Sequence, residues 1–434
     1  MKVFLRTFGC RANHYDTEAV RAMLDAAGHS VVASAAEADI AVFNSCAVTT
    51  EAEAELRKVV RRAARERPEL RSVVMGCAAA LDDQRPPALQ ARGLPTVERV
   101  VAGADLLALA DALEVPAALA LRGTSAQSAT RALLRVQDGC DEHCTFCATR
   151  LARGTNRSRS AAAIVEEAAR LAERHAEIVI TGIHIGSYGA DTGSSLGALM
   201  TRLIREIPLA RFRLSSIEAT ELDEELVNLL ADAPDHLSPH VHAPLQSGSD
   251  AMLHRMGRHW YTAAAYERAV EGLASRTEVL GLGADVIAGF PGETESDHRE
   301  TLRLIERLPF TYLHVFPYSP RPGTAATRLG SAVSPAVAER RAAELRRLGA
   351  DKANAYAVRR VSGLADAIVV GRGSDRDAVT GDYLTVGVTD DGAEPGDRFV
   401  GVLMRDGSGR LSVQREAEKL TAYPKLSVQA ILQE

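Results

Sequence analysis

Short β-rich runs alternate with amphipathic helical stretches over most of this chain. That alternation constrains the fold more than any other feature, because parallel strands need helical crossovers rather than tight turns. The first strands are expected at Val3 to Phe8, Ile40 to Phe43 and Ser72 to Met75. Between them, Asp16 to Ala27 reads as a helix with Asp16 as its N-cap, and Thr50 to Arg67 as a charged helix ended by Pro68. Leu106 to Leu121, interrupted by Asp111, Glu114 and Pro116, reads as a helix followed by a turn. This predicts an N-terminal doubly wound α/β domain over residues 1–120.

The same rhythm continues on a larger scale over residues 126–360. Strands are expected at Leu133–Val136, Ile178–Thr181, Phe212–Ser215, His240–Pro244, Gly283–Ala288 and Tyr312–Phe316. Six units favour a central partial (β/α)6 barrel over a closed eight-unit one, with functional residues at the carboxyl ends of the strands. From 361 to 434 the texture changes to short strands between Gly- and Asp-rich turns: Ala367–Val370, Tyr383–Val388, Arg398–Leu403 and Leu411–Val413. This is the pattern of a small antiparallel β-barrel. The expected class is thus α/β multidomain.

Charge narrows the partners. With 51 basic against 57 acidic side chains, contact with nucleic acid must come from local patches. The last module is itself acidic, with 8 basic and 12 acidic residues. Arg6 interrupts the N-terminus before a signal-peptide core, and no apolar run is long enough to span a bilayer, so a cytoplasmic location with no membrane partner is expected.

Six cysteines in a reducing compartment are poor candidates for disulfides, so their spacing carries the chemistry. Cys140, Cys144 and Cys147 form a C-x3-C-x2-C run directly after a predicted strand. Three soft thiolates suit an iron–sulfur cluster with one iron left open. A zinc site would need a fourth ligand, for which His143 inside the loop is the neighbour. Cys10, Cys46 and Cys77 are far apart in sequence, yet each falls just after one of the first three predicted strands. Strand ends of a parallel sheet converge on one crevice, so these thiols are expected to meet at a second incomplete site. Buried cysteine as a small hydrophobe is the bland alternative.

The cysteine loop, together with Thr7-Phe8-Gly9-Cys10-Arg11-Ala12-Asn13, Phe43-Asn44-Ser45-Cys46-Ala47-Val48-Thr49, Pro244-Leu245-Gln246-Ser247-Gly248-Ser249, Gly289-Phe290-Pro291-Gly292-Glu293-Thr294 and the His314–Thr324 run, resembles the radical S-adenosylmethionine (SAM) methylthiotransferases. The likeness covers essentially the whole chain, the C-terminal module resembling the RNA-associated barrel called TRAM. Thr181–Gly189 and Arg213–Glu218 are similar to the branch acting on N6-threonylcarbamoyladenosine in tRNA. Sister branches act on isopentenyladenosine in tRNA or on an aspartate of a ribosomal protein. A zinc-stabilised RNA-binding module is the non-enzymatic alternative. One departure stands out: after the loop the chain reads Ala148-Thr149-Arg150-Leu151-Ala152-Arg153-Gly154, without the proline usual there and with Arg150 added.

The resemblance implies two [4Fe-4S] clusters and SAM. The cluster on Cys140, Cys144 and Cys147 would cleave SAM to a 5′-deoxyadenosyl radical that abstracts hydrogen from C2 of adenine. The one on Cys10, Cys46 and Cys77 would deliver the methylthio group. Gly182, Ser215, Ser216, Glu218, Gln246, Ser247, Val286 and Gly289 are the expected SAM contacts at strand ends. Arg150, Arg153, Arg157 and Arg159 crowd the cysteine loop and are expected to face the tRNA, since Arg suits phosphate. Arg340, Arg341, Arg346, Arg347, Lys352, Arg359 and Arg360 form a second basic group before the last module. Flavodoxin or ferredoxin is the implied electron donor, and the sulfur donor is unspecified.

Overall fold

The computed structural model describes residues 1–47, 50–82, 90–120, 124, 127–371, 376–390 and 392–415. The last two residues of the Phe43 motif, residue 121 and residues 416–434 lie outside the described residues.

The N-terminal strands are β1 (Lys2–Thr7), β2 (Ser30–Val32), β3 (Ile40–Ser45), β4 (Arg71–Gly76) and β5 (Val97–Val100), parallel in the order β2-β1-β3-β4-β5. β3 is buried at every position, as a central parallel strand should be. β2 and β5 were not expected; they are short, half-exposed edge strands without a continuous apolar run. The first helix spans Arg11–Ala26 with Cys10 at its N-cap, rather than starting at Asp16. Asp16 sits one and a half turns inside it, buried, because its carboxylate is held by two arginines of the next domain.

The central domain begins with β6 (Ala132–Arg135). The short antiparallel pair β7 (Gln137–Asp138) and β8 (Arg157–Ser158) frames the cysteine loop. β9 (Glu177–Thr181), β10 (Arg211–Leu214), β11 (His240–His242), β12 (Gly281–Ala288) and β13 (Tyr312–Pro317) follow, each within two residues of the expected position. The arc runs β6-β9-β10, then β11-β12-β13, all parallel, and the halves meet only through isolated bridges such as Ser216 with His242. The result is an open six-stranded partial barrel.

Side chains alternate across this arc. Leu134, Ile178, Ile180, Phe212, Leu214, Val241, Leu282, Ala284 and Val286 join the main apolar core under the outer helices. The alternate positions, Glu177, Arg211, Arg213, His240, His242, Asp285, Tyr312 and His314, face the other way and give the lumen a polar lining. Two of them, Arg211 and Arg213, are fully buried against Glu177.

The neighbouring domains close this lumen. Asp16 of the N-terminal domain pairs with Arg135 on the first barrel strand at 2.6 Å, and Glu53 with Arg321 beyond the last at 3.7 Å. The C-terminal module is a closed barrel of β14 (Leu364–Val369), β15 (Asp377–Thr380), β16 (Thr385–Val388), β17 (Arg398–Arg405) and β18 (Leu411–Arg415). Its one departure from a purely antiparallel barrel is the parallel β16–β18 pair. The β15–β16 turn docks at the amino ends of the central strands. There Arg213 donates to the Thr380 and Gly381 carbonyls, and Tyr383 stacks on His240 at 4.3 Å between centroids.

Among the described residues, no helix is long and apolar enough to cross a membrane.

Candidate metal centres

Adjacent strands β1, β3 and β4 deliver Cys10, Cys46 and Cys77 to one edge of the N-terminal sheet. Strand spacing of about 4.8 Å places three such thiols within roughly 10 Å of one another. Gly9 makes the approach possible. It has φ +99°, and a Cβ there would lie 2.5 Å from Cys46 Sγ. Asn13 braces the turn by donating to the Phe8 and Ser45 carbonyls at 2.9 and 2.8 Å. Cys10 is exposed while Cys46 and Cys77 are buried. Burial pushes the Cys77 thiol up to about 11, against the pull of the Arg153 guanidinium.

The Cys140–Cys147 loop is held from three sides. Cys140 N–H donates to the Gly154 carbonyl at 3.0 Å, Thr145 N–H to Met256 at 2.8 Å, and Ala326 N–H to Thr145 at 2.8 Å. Gln137, fully buried, ties the loop to the end of β9. Its Nε2 donates to Gly139 O at 2.6 Å, and its Oε1 accepts from Ile183 and His184 N–H at 3.0 and 2.9 Å. His184 Nδ1 stands 3.6 Å from Cys140 Sγ, with Glu221 on its other nitrogen. Arg258 donates to Cys144 Sγ at 3.4 Å and to Glu218, which Trp260 also bonds. Burial pushes the Cys144 thiol up to about 12, again opposed by its guanidinium.

Each trio therefore has one thiol bonded by a buried arginine. Arg153 also ties the N-terminal thiols to the helix that follows the cysteine loop. It lies at the end of the helix Thr149–Arg153 that follows Cys147, and its Nε donates to Cys77 Sγ at 3.3 Å. Its Nη2 reaches Asn13 at 2.7 Å and Asp16 at 2.6 Å. Ala47, Ala78 and Ala148, the residues immediately after Cys46, Cys77 and Cys147, meet in one apolar cluster with Cys77 itself. The donor set is two separate groups of three soft thiols, with His143 exposed rather than turned inward, which fits two three-thiolate iron–sulfur sites.

The expected SAM contacts divide into open and internal residues. Ser216 is exposed and Gln246, at φ +63°, is half-buried beside β12. Glu218 is held by Arg258 and Trp260, and Ser247 Oγ lies 3.3 Å from Thr301 on a neighbouring helix. Ser215 is buried. The Val286 side chain lies in the helix-facing core, whereas its neighbour Ile287 packs against the same apolar cluster as Phe146 of the cysteine loop. Gly182 and Gly289 are explained by packing: a Cβ would stand 2.8 Å from Gln137 Oε1 in the first and 2.3 Å from Ala338 Cβ in the second.

The arginines need a correction. Arg153 is 5% exposed, and Arg159 is turned inward onto Glu167, Tyr15 and the Arg135 carbonyl. Both guanidiniums are engaged by partners inside the protein, whereas Arg150 is half-buried and Arg157 exposed. In the second basic group Arg341 pairs with buried Glu293, Arg360 with Asp382, and Lys352 with two carbonyls. These cations were attracted by internal acceptors that composition does not reveal. Sequence reasoning also missed Arg258, for which no motif gave a signal, and Asn13 and Gln137, which lie within or beside the quoted motifs.

Residues 2–92 match the family model described as uncharacterized protein family UPF0004, and residues 134–305 match the radical SAM superfamily. The threonylcarbamoyladenosine tRNA methylthiotransferase MtaB of Thermotoga maritima is 37% identical over 342 residues, covering 76% of this chain and 78% of that protein. Its namesake from Bacillus subtilis is 35% identical, covering 82% of each. A tRNA-2-methylthio-N6-dimethylallyladenosine synthase of Parafrankia is 33% identical over 87% of this chain and 79% of its own. Among solved structures, the radical SAM methyltransferase TsrM of Kitasatospora setae shares the fold, with a TM-score of 0.55 at 16% identity over 75% of this chain and 73% of that one. The chain belongs to the radical SAM methylthiotransferases, in the branch of the threonylcarbamoyladenosine tRNA methylthiotransferases.

Proposed function

We propose that this chain adds a methylthio group to C2 of N6-threonylcarbamoyladenosine next to the anticodon of tRNA. The observation that carries the reading is the approach of the two cysteine trios: Arg153, from the helix after Cys147, bonds Cys77, and Ala47, Ala78 and Ala148 share one apolar cluster with Cys77. In this reading Cys140, Cys144 and Cys147 hold one [4Fe-4S] cluster, and Cys10, Cys46 and Cys77 hold the other. When bound, these groups supply one-electron cleavage of SAM and a sulfur for transfer.

The chain's own residues prepare the site. Arg153 and Arg258 each set a positive charge on a thiol in a low-dielectric pocket, which favours the thiolate that ligation requires. Gln137 and the Met256 and Ala326 contacts fix the loop before anything binds. The N-terminal domain is ion-paired to both ends of the arc, Asp16 to Arg135 and Glu53 to Arg321. Ser216, Gln246 and Ile287 are the side chains we assign to SAM, with Gly182 and Gly289 shaping its walls. Arg150 and Arg157 are left to meet phosphate at the mouth. We assign residues 1–120 to the auxiliary domain, 126–360 to the radical domain and 361–434 to the RNA-associated barrel. Action on tRNA supports a cytoplasmic location, and flavodoxin or ferredoxin is the electron donor we assign.

Deleting the gene and measuring tRNA nucleosides by mass spectrometry tests this. The methylthio nucleoside should disappear while its threonylcarbamoyl precursor accumulates; an unchanged nucleoside profile would refute the assignment.

A further inference from the structure

Three side chains in the barrel lumen are not used by the cysteine sites. His242 Nε2 and His314 Nδ1 both approach the same oxygen of Asp285, at 3.0 and 3.3 Å. All three project from the lumen face of β11, β12 and β13. Asp285 and His314 stand in register, one layer above His242 and Tyr312 and one layer below Ile287 and Phe316. Ile287 and Phe146 of the cysteine loop pack against the same apolar cluster, so the trio lies two residues along the strand, about 7 Å, below the level at which β12 meets that cluster.

The trio is rigidly supported from below. The Tyr312 hydroxyl lies 3.0 Å from His242 Nδ1 and 2.9 Å from His240 Nε2. The Tyr312 ring fits because Gly283 has no Cβ; one would fall 1.9 Å from the ring. Tyr383 of the C-terminal barrel closes the column by stacking on His240, and Arg11, the residue after Cys10, donates to the Tyr383 hydroxyl at 3.1 Å. His242 has both ring nitrogens engaged. His314 differs: its side chain is 53% exposed, and only Nδ1 takes part in the network. Its Nε2 is thus presented to whatever enters the lumen.

We infer that His314, backed by Asp285 and His242, binds the polar arm on N6 of the target adenosine and selects a threonylcarbamoyl group over an apolar isoprenoid one. The inference rests on the function proposed above. A threonylcarbamoyl arm carries a carboxylate, a hydroxyl and ureido groups that can bond to an imidazole nitrogen. An isoprenoid arm would cover the same imidazole and carboxylate without replacing the bonds they make to water. Sites built to hydrogen-bond their ligand reject analogues that cannot. Here discrimination comes from a polar floor placed one layer below the apolar rim of Ile287 and Phe316.

The test measures anaerobic binding of the cluster-loaded full chain to three anticodon stem-loop RNAs. These carry threonylcarbamoyladenosine, isopentenyladenosine or unmodified adenosine at the target position. The wild type should favour the threonylcarbamoyl RNA by about tenfold, the worth of one good hydrogen bond. His314→Leu should erase that preference while keeping its affinity for unmodified RNA within about twofold, and His314→Gln should restore part of it. A His314→Leu protein that keeps the preference, or loses affinity equally for all three RNAs, overturns the inference and leaves the proposed function standing. A wild type without any preference for the threonylcarbamoyl RNA overturns both.

Discussion

Replacing Cys10, Cys46 and Cys77 together by alanine is expected to halve the iron content, from about eight to about four atoms per chain. Methylthio transfer should fall below detection, yet cleavage of SAM to 5′-deoxyadenosine should persist. The Cys140 loop is fixed by its own barrel through Gln137, Met256 and Ala326, none of which depends on the N-terminal thiols. The reciprocal triple variant, at Cys140, Cys144 and Cys147, should also retain about four irons but lose both SAM cleavage and transfer. Iron analysis and product chromatography on the same preparations check both. Loss of all iron from either variant would mean that the six thiols do not form two independent sites.

Glu177→Ala is expected to cost the central barrel about 3–5 kcal/mol. Glu177 is fully buried and its carboxylate faces Arg131, Arg211 and Arg213. Removing it leaves two guanidiniums inside the protein at 0% side-chain exposure with like charges toward each other. Arg211 and Arg213 also anchor the C-terminal barrel through the carbonyls of Asp366, Thr380 and Gly381, so its docking should loosen as well. A shift of the urea midpoint reports the first effect, and faster proteolysis between the central and C-terminal domains the second. The control Glu166→Ala breaks an exposed pair with Arg170 and should change stability by no more than about 0.5 kcal/mol. Burial would raise the Glu177 carboxyl, but Arg213 and Arg211 override it and hold it well below the usual carboxylate range. Its contribution is therefore complete above the unfolded value near about 4.3 and is lost only as pH falls through the lower folded value.

The architecture was legible where burial writes a strong pattern. The six barrel strands were visible because each combines outward apolar residues with a break before the next helix. β2 and β5 were not, since half-exposed edge strands need no apolar run. The cysteines were readable from spacing in one case and from strand ends in the other. Charged residues were the least legible. Asp16 looks like an N-cap in sequence and is an interdomain ion-pair partner in space, and Arg153 looks like a phosphate ligand and is a buried link to Cys77. Both depend on partners at least 76 positions away, which no local window contains. Arg258 on Cys144 and the convergence of His242, Asp285 and His314 from three strands are likewise set by tertiary packing.

Electron paramagnetic resonance of the fully reduced, iron-loaded protein tests most directly whether the two thiolate sites share one cavity. The residues that follow Cys46, Cys77 and Cys147 share one apolar cluster, so paramagnetic clusters on the two trios lie close enough to couple, and the spectrum should show splitting or broadening absent from both triple-cysteine variants. A spectrum equal to the simple sum of the two variants' signals would contradict a shared site.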